Sequence, residues 1–277
     1  KIRHMLKATT YADVTRFDLA RTLAGKGRYW TTAYLVDGLL IDSGCAFTAS
    51  ELVKWLAGRP LAGVMNTHTH EDHIGANGLL QRERAGLLLH AHPLALPVLA
   101  NPRGWQPLHP YRRLLWGWPE PSQAEPVSDG EMIETGRYRF RVVYTPGHSP
   151  DHVCLYEPEQ GWLFTGDLFV GGRDRALREG YDVWAIIASL KRIAALPSQC
   201  LFPGSAHVRR NPAGALAAKI DHLEMLGERV LALHRQGRSV DQIVQALLGP
   251  PMPIEMITLG HFSRRWLVCS YLAEHTA

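Results

Sequence analysis

Paired cysteines are missing from this chain. It holds four, Cys45, Cys154, Cys200 and Cys269, and no two are spaced as C-x-x-C. That spacing excludes a disulfide scaffold and a cysteine zinc knuckle. Each is expected as a small buried hydrophobe in a reducing compartment, which places the chain in the cytoplasm. Long apolar runs are missing too, none reaching the about eighteen residues of a membrane span. The basic residues Lys1, Arg3, His4 and Lys7 are followed by Thr9, Asp13, Arg16 and Asp18 rather than by an apolar stretch. No signal peptide and no membrane partner are therefore expected. Charge of one sign is scarce: 30 basic against 26 acidic residues leave +4, with no long basic run. Nucleic acid is accordingly not an expected partner. No Ser/His/Asp triad or phosphate-cradling glycine loop is present, and Gly171-Gly172 reads as a turn.

The 277 residues suffice for one large domain, or a domain with an appendage. Over the first two thirds, short β-branched runs alternate with turns. Ala33 to Val36 and Leu39 to Ile41 flank Asp37-Gly38, a tight-hairpin signal. Further hairpins are predicted around Thr135-Gly136 and around the turn from Glu157 to Gly161. Helices are predicted over Ser50–Leu56, Ile74–Arg84 and Val183–Leu196, the last stopped by Pro197. This mixture points to an α/β (α+β) fold with two sheets and helices outside them, rather than one parallel sheet. Beyond Pro212, Leu216, Ile220, Leu223, Val230 and Leu233 recur at helical spacing. Ser239 with Gln242 forms a capping box, Gly249-Pro250 is a stop, and a third helix is predicted over Phe262–Glu274. The division expected is a catalytic domain over 1–212 and a small helical subdomain over 213–277. The rhythm breaks at 94–126, rich in proline and aromatics. Trp105, Trp116 and Trp118 are candidates for an apolar pocket there, and Arg112 and Arg113 for meeting an acidic substrate group. A packing or dimer element is the competing reading of that insert, and a homodimer stays open.

The chemistry concentrates in Thr67-His68-Thr69-His70-Glu71-Asp72-His73. In an extended segment residues i and i+2 share a side, so His68 and His70 can grip one ion. The chain then turns into a helix, whose start points Asp72 and His73 back. Imidazole and carboxylate are zinc ligands, and they suit manganese or iron as well. Further ligands follow later apolar runs, each beside glycine or proline: His148 in Thr145-Pro146-Gly147-His148, Asp167 in Thr165-Gly166-Asp167, and His207 in Pro203-Gly204-Ser205-Ala206-His207. The cofactors expected are two divalent metal ions, zinc first.

In this order, the H-x-H-x-D-H cluster and the three later elements resemble the metallo-β-lactamase fold superfamily over about residues 20 to 212. The resemblance implies a four-layer αβ/βα sandwich with the site at one sheet edge. It implies His68, His70 and His148 on a first metal, Asp72, His73 and His207 on a second, and Asp167 bridging. Asp42, in Ile41-Asp42-Ser43-Gly44, resembles the family's buried aspartate supporting the metal-bearing loop. The family chemistry is hydrolysis by a water whose pKa falls from about 15.7 toward 7 between two ions. Asp72 is the candidate for orienting that water and carrying its proton. His152, His90 and His92 are expected to be structural. His4, His109, His222, His234, His261 and His275 are expected at the surface or in packing.

Asp167 stands where many zinc β-lactamases carry cysteine or serine, so antibiotic hydrolysis is not the leading reading. The run Gly166 to Arg173, with Glu179-Gly180, is similar to glyoxalase II thioesterases, but no counterpart of their C-terminal glutathione-binding motif is present. The helical C-terminus resembles superfamily members with a winged-helix-like tail. Two residues separate Gly204 from His207, a departure from the family pattern. The substrate expected is a small molecule with an apolar part and an ester-type bond: thioester, lactone or carboxylic ester. Three alternatives stay open: a nuclease using Arg209-Arg210, an iron-dependent thiol oxidoreductase, and a binding protein without turnover.

Overall fold

A computed structural model describes residues 4–23 and 26–273. Lys1, Arg3, His275 and the expected helix end at Glu274 lie outside the described residues. A seven-stranded sheet runs in chain order: β1 (His4–Tyr11), β2 (Val14–Leu23), β3 (Lys26–Val36), β4 (Leu39–Ile41), β5 (Gly63–Met65), β6 (Leu88–Ala91) and β7 (Glu125–Pro126). Its first four strands pair antiparallel and β4 to β7 pair parallel. The β3–β4 turn is the Asp37-Gly38 hairpin, with φ of 47° and 83°, the doubly positive backbone that this dipeptide tolerates.

The second half supplies β8 (Met132–Glu134), β9 (Arg139–Tyr144), β10 (Val153–Glu157), β11 (Trp162–Gly166), a separate short strand β12 (Leu177–Arg178), β13 (Cys200–Pro203), β14 (Arg209–Arg210) and β15 (Phe262–Ser263). Six of these form a sheet in the order β14-β13-β11-β10-β9-β8, while β12 pairs with β15.

Period-2 patterning explains the layering. Tyr34, Val36, Leu39, Ile41 and Met65 of the first sheet pack against Phe140, Val142, Val153, Leu155, Phe164 and Phe202 of the second. Their chain neighbours Ala33, Leu40 and Val64 point the other way, onto Leu52 and Leu56 of α1 (Ala49–Leu56) and Leu80 of α2 (Asn77–Glu83). On the far side, Val143, Cys154, Leu163 and Leu201 meet the remaining helices. The layers are therefore helix, sheet, sheet, helix.

The insert forms α3 (Leu96–Ala100), α4 (Pro102–Trp105) and α5 (Pro110–Leu115), anchored by buried Leu99, Leu108 and Leu115. The outer helical layer comprises α6 (Val183–Ala194), α7 (Ala213–Arg235), α8 (Val240–Leu248), a short α9 (Pro253–Ile257) and α10 (Arg264–Leu272). Ser239 and Gln242 form the capping box of α8, and Gly249 ends it at φ 69°. Leu216, Ile220, Leu223, Leu226 and Val230 of α7 share one core with α6 and the second sheet. Each side chain of this size stabilises by about 1.5–3 kcal/mol when fully buried.

Candidate metal centre

Parallel strands β4 and β5 end side by side, so Asp42 and the loop from Asn66 emerge at one sheet edge. Asp42 holds a left-handed backbone at φ 58°, a conformation that aspartate tolerates better than most residues. Its carboxylate accepts from Thr67 N at 2.7 Å and from Thr67 Oγ1 at 2.8 Å. It also accepts from His73 Nδ1 at 2.7 Å. This orients the His73 ring and keeps one proton on Nδ1, so that Nε2 is the atom that would bind a metal on giving up its proton. Thr67 Oγ1, whose proton goes to Asp42, lies 3.0 Å from His68 Nδ1 and can accept its proton. His68 Nε2 is then a lone pair.

Gly147 positions the next ligand. Its φ is 126°, and a Cβ there would stand 2.4 Å from the backbone nitrogen of Ile186. Only glycine lets the chain pass this close to the first turn of α6, whose Asp182 caps the helix and whose Asp182 N–H bonds Gly147 O at 2.9 Å. His148 follows directly. Its Nε2 lies 2.9 Å from His70 Nδ1, and His68 Nε2 lies 3.0 Å from the same atom.

Burial, first of all, holds His68, His70 and His148 well below the ordinary histidine pKa; Arg178 adds to this at His70, and neighbouring histidines add at His68. All three are therefore neutral, and their ring nitrogens converge. His73 is also buried, which disfavours its charge, but Asp167, Asp42 and Asp72 outweigh this and raise its pKa well above the ordinary value. Burial acts upward on Asp167, yet the charge and hydrogen bonding of His73 pull its pKa down. Asp72 is pushed up by burial.

Two groups of three ligand atoms result, His68/His70/His148 and His68/His73/Asp167, each with its atoms within 4.8 Å of one another. Asp167 lies between them, Oδ2 3.7 Å from His148 Nε2 and Oδ1 3.5 Å from His73 Nε2. Asp72 Oδ2 is 3.8 Å from His73 Nε2. Asp167 Oδ1 is buried without a hydrogen-bond partner, as expected of a donor atom reserved for a cation. The residues fit a pair of metal ions.

His207 does not join them. It is exposed, and Ser205 rather than His207 lines the adjoining cavity. The turn explains this. Thr32 N and Oγ1, with Tyr34 Oη, clamp the carbonyls of Pro203 and Gly204. Gly204 is pressed so close that a Cβ would stand 2.5 Å from Asp167 Oδ1. The chain then bends at Ala206, whose φ of 101° is strained for any L side chain, and His207 faces solvent.

The cavity beside the ligands has a volume of about 300 Å³. Of the five insert residues expected there, Arg112 and Trp116 line it; Trp105, Arg113 and Trp118 do not. Trp105 is 65% exposed, and Arg103 lies over the Trp118 ring. Arg112 is no free anion binder, because it is buried in an ion pair with Glu71. Burial pushes the Glu71 pKa up to about 7 despite Arg112.

Sequence reasoning missed Arg178 and Tyr181. Arg178 Nη1 reaches His70 Nε2 at 2.9 Å, and Tyr181 Oη lies 3.4 Å from His148 Nε2. Their signal was position alone, in the loop between the Asp167 strand and α6. The β12–β15 pair sets that loop, and His261 beside β15 accepts from Arg178 Nε at 3.2 Å. His261 also stacks on His109 and contacts Tyr111 Oη at 2.9 Å, joining insert and C-terminal segment over the cavity. His152, with Nδ1 2.9 Å from Thr145 Oγ1, supports the His148 loop from outside both ligand groups.

The family profile described as Metallo-beta-lactamase superfamily matches residues 31–205. A hydroxyacylglutathione hydrolase of Maricaulis maris is 34% identical over 52% of this chain and 47% of its own length. An atrochrysone carboxyl ACP thioesterase of Aspergillus fumigatus is 29% identical over 74% of this chain and 59% of its own. The chain thus spans about half the length of these curated relatives. Among solved structures, the metallo-beta-lactamase family protein TTHA1429 of Thermus thermophilus covers 98% of this chain, matched over 90% of its own, at TM-score 0.60 and 21% identity. TTHA1623, solved in a di-iron-bound form, covers 70% of this chain and is matched over 96% of its own, at TM-score 0.55 and 31% identity. A matching profile that covers more than half of the chain, reaches into both sheets and takes in all the clustered ligands makes this chain a member of the metallo-beta-lactamase superfamily.

Proposed function

We propose that the chain is a binuclear metallo-hydrolase acting on ester-type bonds, with thioesters ahead of lactones and carboxylic esters. The observation that carries this is the convergence of His68, His70 and His148 beside His73, Asp72 and Asp167, with Asp167 between the two sets, on the wall of a largely apolar cavity that also holds Arg178. Two relatives are named for removing acyl groups, a hydroxyacylglutathione hydrolase and an ACP thioesterase, which favours the thioester.

The ions supply Lewis acidity and a water that ionises near neutral pH; zinc suits the nitrogen and oxygen donors, and iron is the competitor raised by the di-iron-bound relative. Neutral His68, His70 and His148 present lone pairs to the first position. Asp72, His73 and Asp167 face the second. Asp72, partly buried and of raised pKa, is suited to orient the attacking water and to take its proton. With Nδ1 of His70 engaged, its ring proton sits on Nε2, and Arg178, which only donates, loses its acceptor there. The guanidinium is then free to meet an anionic group at the cavity wall. Tyr181, kept protonated by burial, can donate toward a developing oxyanion.

A panel of thioesters, lactones, carboxylic esters and phosphodiesters, assayed with zinc-, manganese- and iron-loaded protein, tests this reading. Thioester turnover is expected. Phosphodiester cleavage without ester or thioester cleavage would overturn it, and oxygen consumption with retained iron would favour an oxidoreductase.

A further inference from the structure

A second cleft of about 650 Å³ opens beside the metal cavity, between the loop after Asp167 and helices α7 and α8. The two share a wall at Lys219, which lines both. Arg173, Arg175, Arg209 and Arg229 surround the cleft. Its one lysine is neutralised by Asp174 at 2.7 Å. The four arginines have no such partner: among the described residues, no carboxylate forms an ion pair with any of them.

Their other contacts leave donors to spare. Arg175 donates to the carbonyl of Leu248 at 2.6 Å, and Arg209 lies over the Phe169 ring with its Nε buried and unpartnered. Arg173 and Arg229 are exposed. Four like charges around one concavity repel one another, and a multiply charged anion relieves that repulsion. Planar guanidinium groups match phosphate oxygens two at a time.

The lining between the arginines is apolar: Phe169, Met225, Leu226, Leu247 and Leu248. Free phosphate makes no use of such a surface. A phosphate carried on a partly apolar chain uses both. Met225, 57% exposed, gives the wall an adaptable side chain. The enclosure by α7 and α8 suits a small ligand better than a polynucleotide, which needs an open stripe.

We propose that this cleft holds the phosphate-bearing handle of the substrate, of the kind that coenzyme A carries, while the acyl thioester end enters the metal cavity across the Lys219 wall. The proposal rests on the thioester reading for its acyl end; the anion site itself does not depend on it.

The test uses the metal-loaded full chain and needs no turnover at first. Coenzyme A is titrated calorimetrically against the wild type and against the exposed double variant Arg173→Glu/Arg229→Glu, with glutathione, inorganic phosphate and a short oligonucleotide as comparison ligands. Coenzyme A is expected to bind, and the double variant to bind it at least about tenfold more weakly, with circular dichroism unchanged. One acyl group is then offered on coenzyme A, on glutathione and on N-acetylcysteamine, which is neutral. The coenzyme A thioester is expected to show a KM at least about tenfold below that of the neutral thioester, and the double variant to narrow that gap. Equal coenzyme A affinity in wild type and variant, tighter binding of glutathione, or oligonucleotide binding that coenzyme A does not displace would each overturn the proposal. If coenzyme A binds through the arginines while no thioester is cleaved, the anion site stands and the thioester reading falls.

Discussion

Asp42 shows how much one side chain organises: from a left-handed backbone it accepts three hydrogen bonds and orients the His73 ring. The ligands differ in how they depend on such support. His148 sits within hydrogen-bond distance of His70, whereas His207 is exposed beyond a strained Ala206. Replacing His207 with alanine is therefore expected to leave metal content and turnover near wild type, while His148→Ala loses the first ion. Elemental analysis of both purified variants checks this, and loss of an ion in His207→Ala would restore that residue to the ligand set. The same histidines govern acid stability. Burial lowers the His152 pKa to about 3. Below the unfolded value of about 6.5 the unfolded chain takes a proton that the folded one refuses, so stability falls with pH by about 1.4 kcal/mol per unit until about pH 3. His68, His70 and His148 act in the same direction, and His73, with its raised pKa, acts in the opposite one. His90, His92 and His261 are lowered by burial as well, while Glu71 and Asp72, raised by burial, join His73 in opposing; seven against three, metal-free protein in chelator is expected to unfold at lower urea concentration at pH 5 than at pH 7. Equal midpoints would contradict the burial argument.

At the scale of elements, α7 shares one hydrophobic core with the second sheet, α6, α8 and α10. Leu223, 1% exposed, sits at the centre of its buried stripe. Leu223→Ala is expected to cost about 2–5 kcal/mol, read as a lower urea midpoint at unchanged slope. A loss under about 0.5 kcal/mol, the size of a surface change, would mean that the helix is not integral to the core. Elements of this kind were legible because local pattern writes them: the 3.6-residue stripe of α7, the short apolar runs of β3 and β10, the Asp37-Gly38 turn. The strands β12, β14 and β15 have two residues each, too few for any period, and they exist only because distant segments meet. Arg178 stands on β12, which is why pattern reading passed over it. The ligand cluster was legible for the opposite reason, since four of its members fall within six consecutive residues. The placement of His207 was not, because it turns on the backbone angle of one alanine. Arg112 misled for a related reason: its charge is visible in the sequence, but its burial against Glu71 is not.

Over the whole molecule, the mild +4 charge conceals an uneven distribution. Four arginines that pair with no carboxylate among the described residues gather around one cleft, and that cleft abuts the cavity holding the ligands. Two sheets deliver the ligands from opposite sides, the loop after β5 from one, and His148 and Asp167 beside β10 and β11 from the other. The site therefore exists only when the sandwich is closed. Asp167 is the carboxylate that lies between the two ligand groups, and it decides the matter most directly. Protein loaded with zinc under mild conditions, with metal counted by elemental analysis and thioester turnover measured on the same samples, is compared with Asp167→Ala. Two ions per chain in the wild type, and loss of at least one ion together with turnover in the variant, are the expected results. A wild type that binds no divalent ion, or a variant that keeps both occupancy and turnover, would contradict the account.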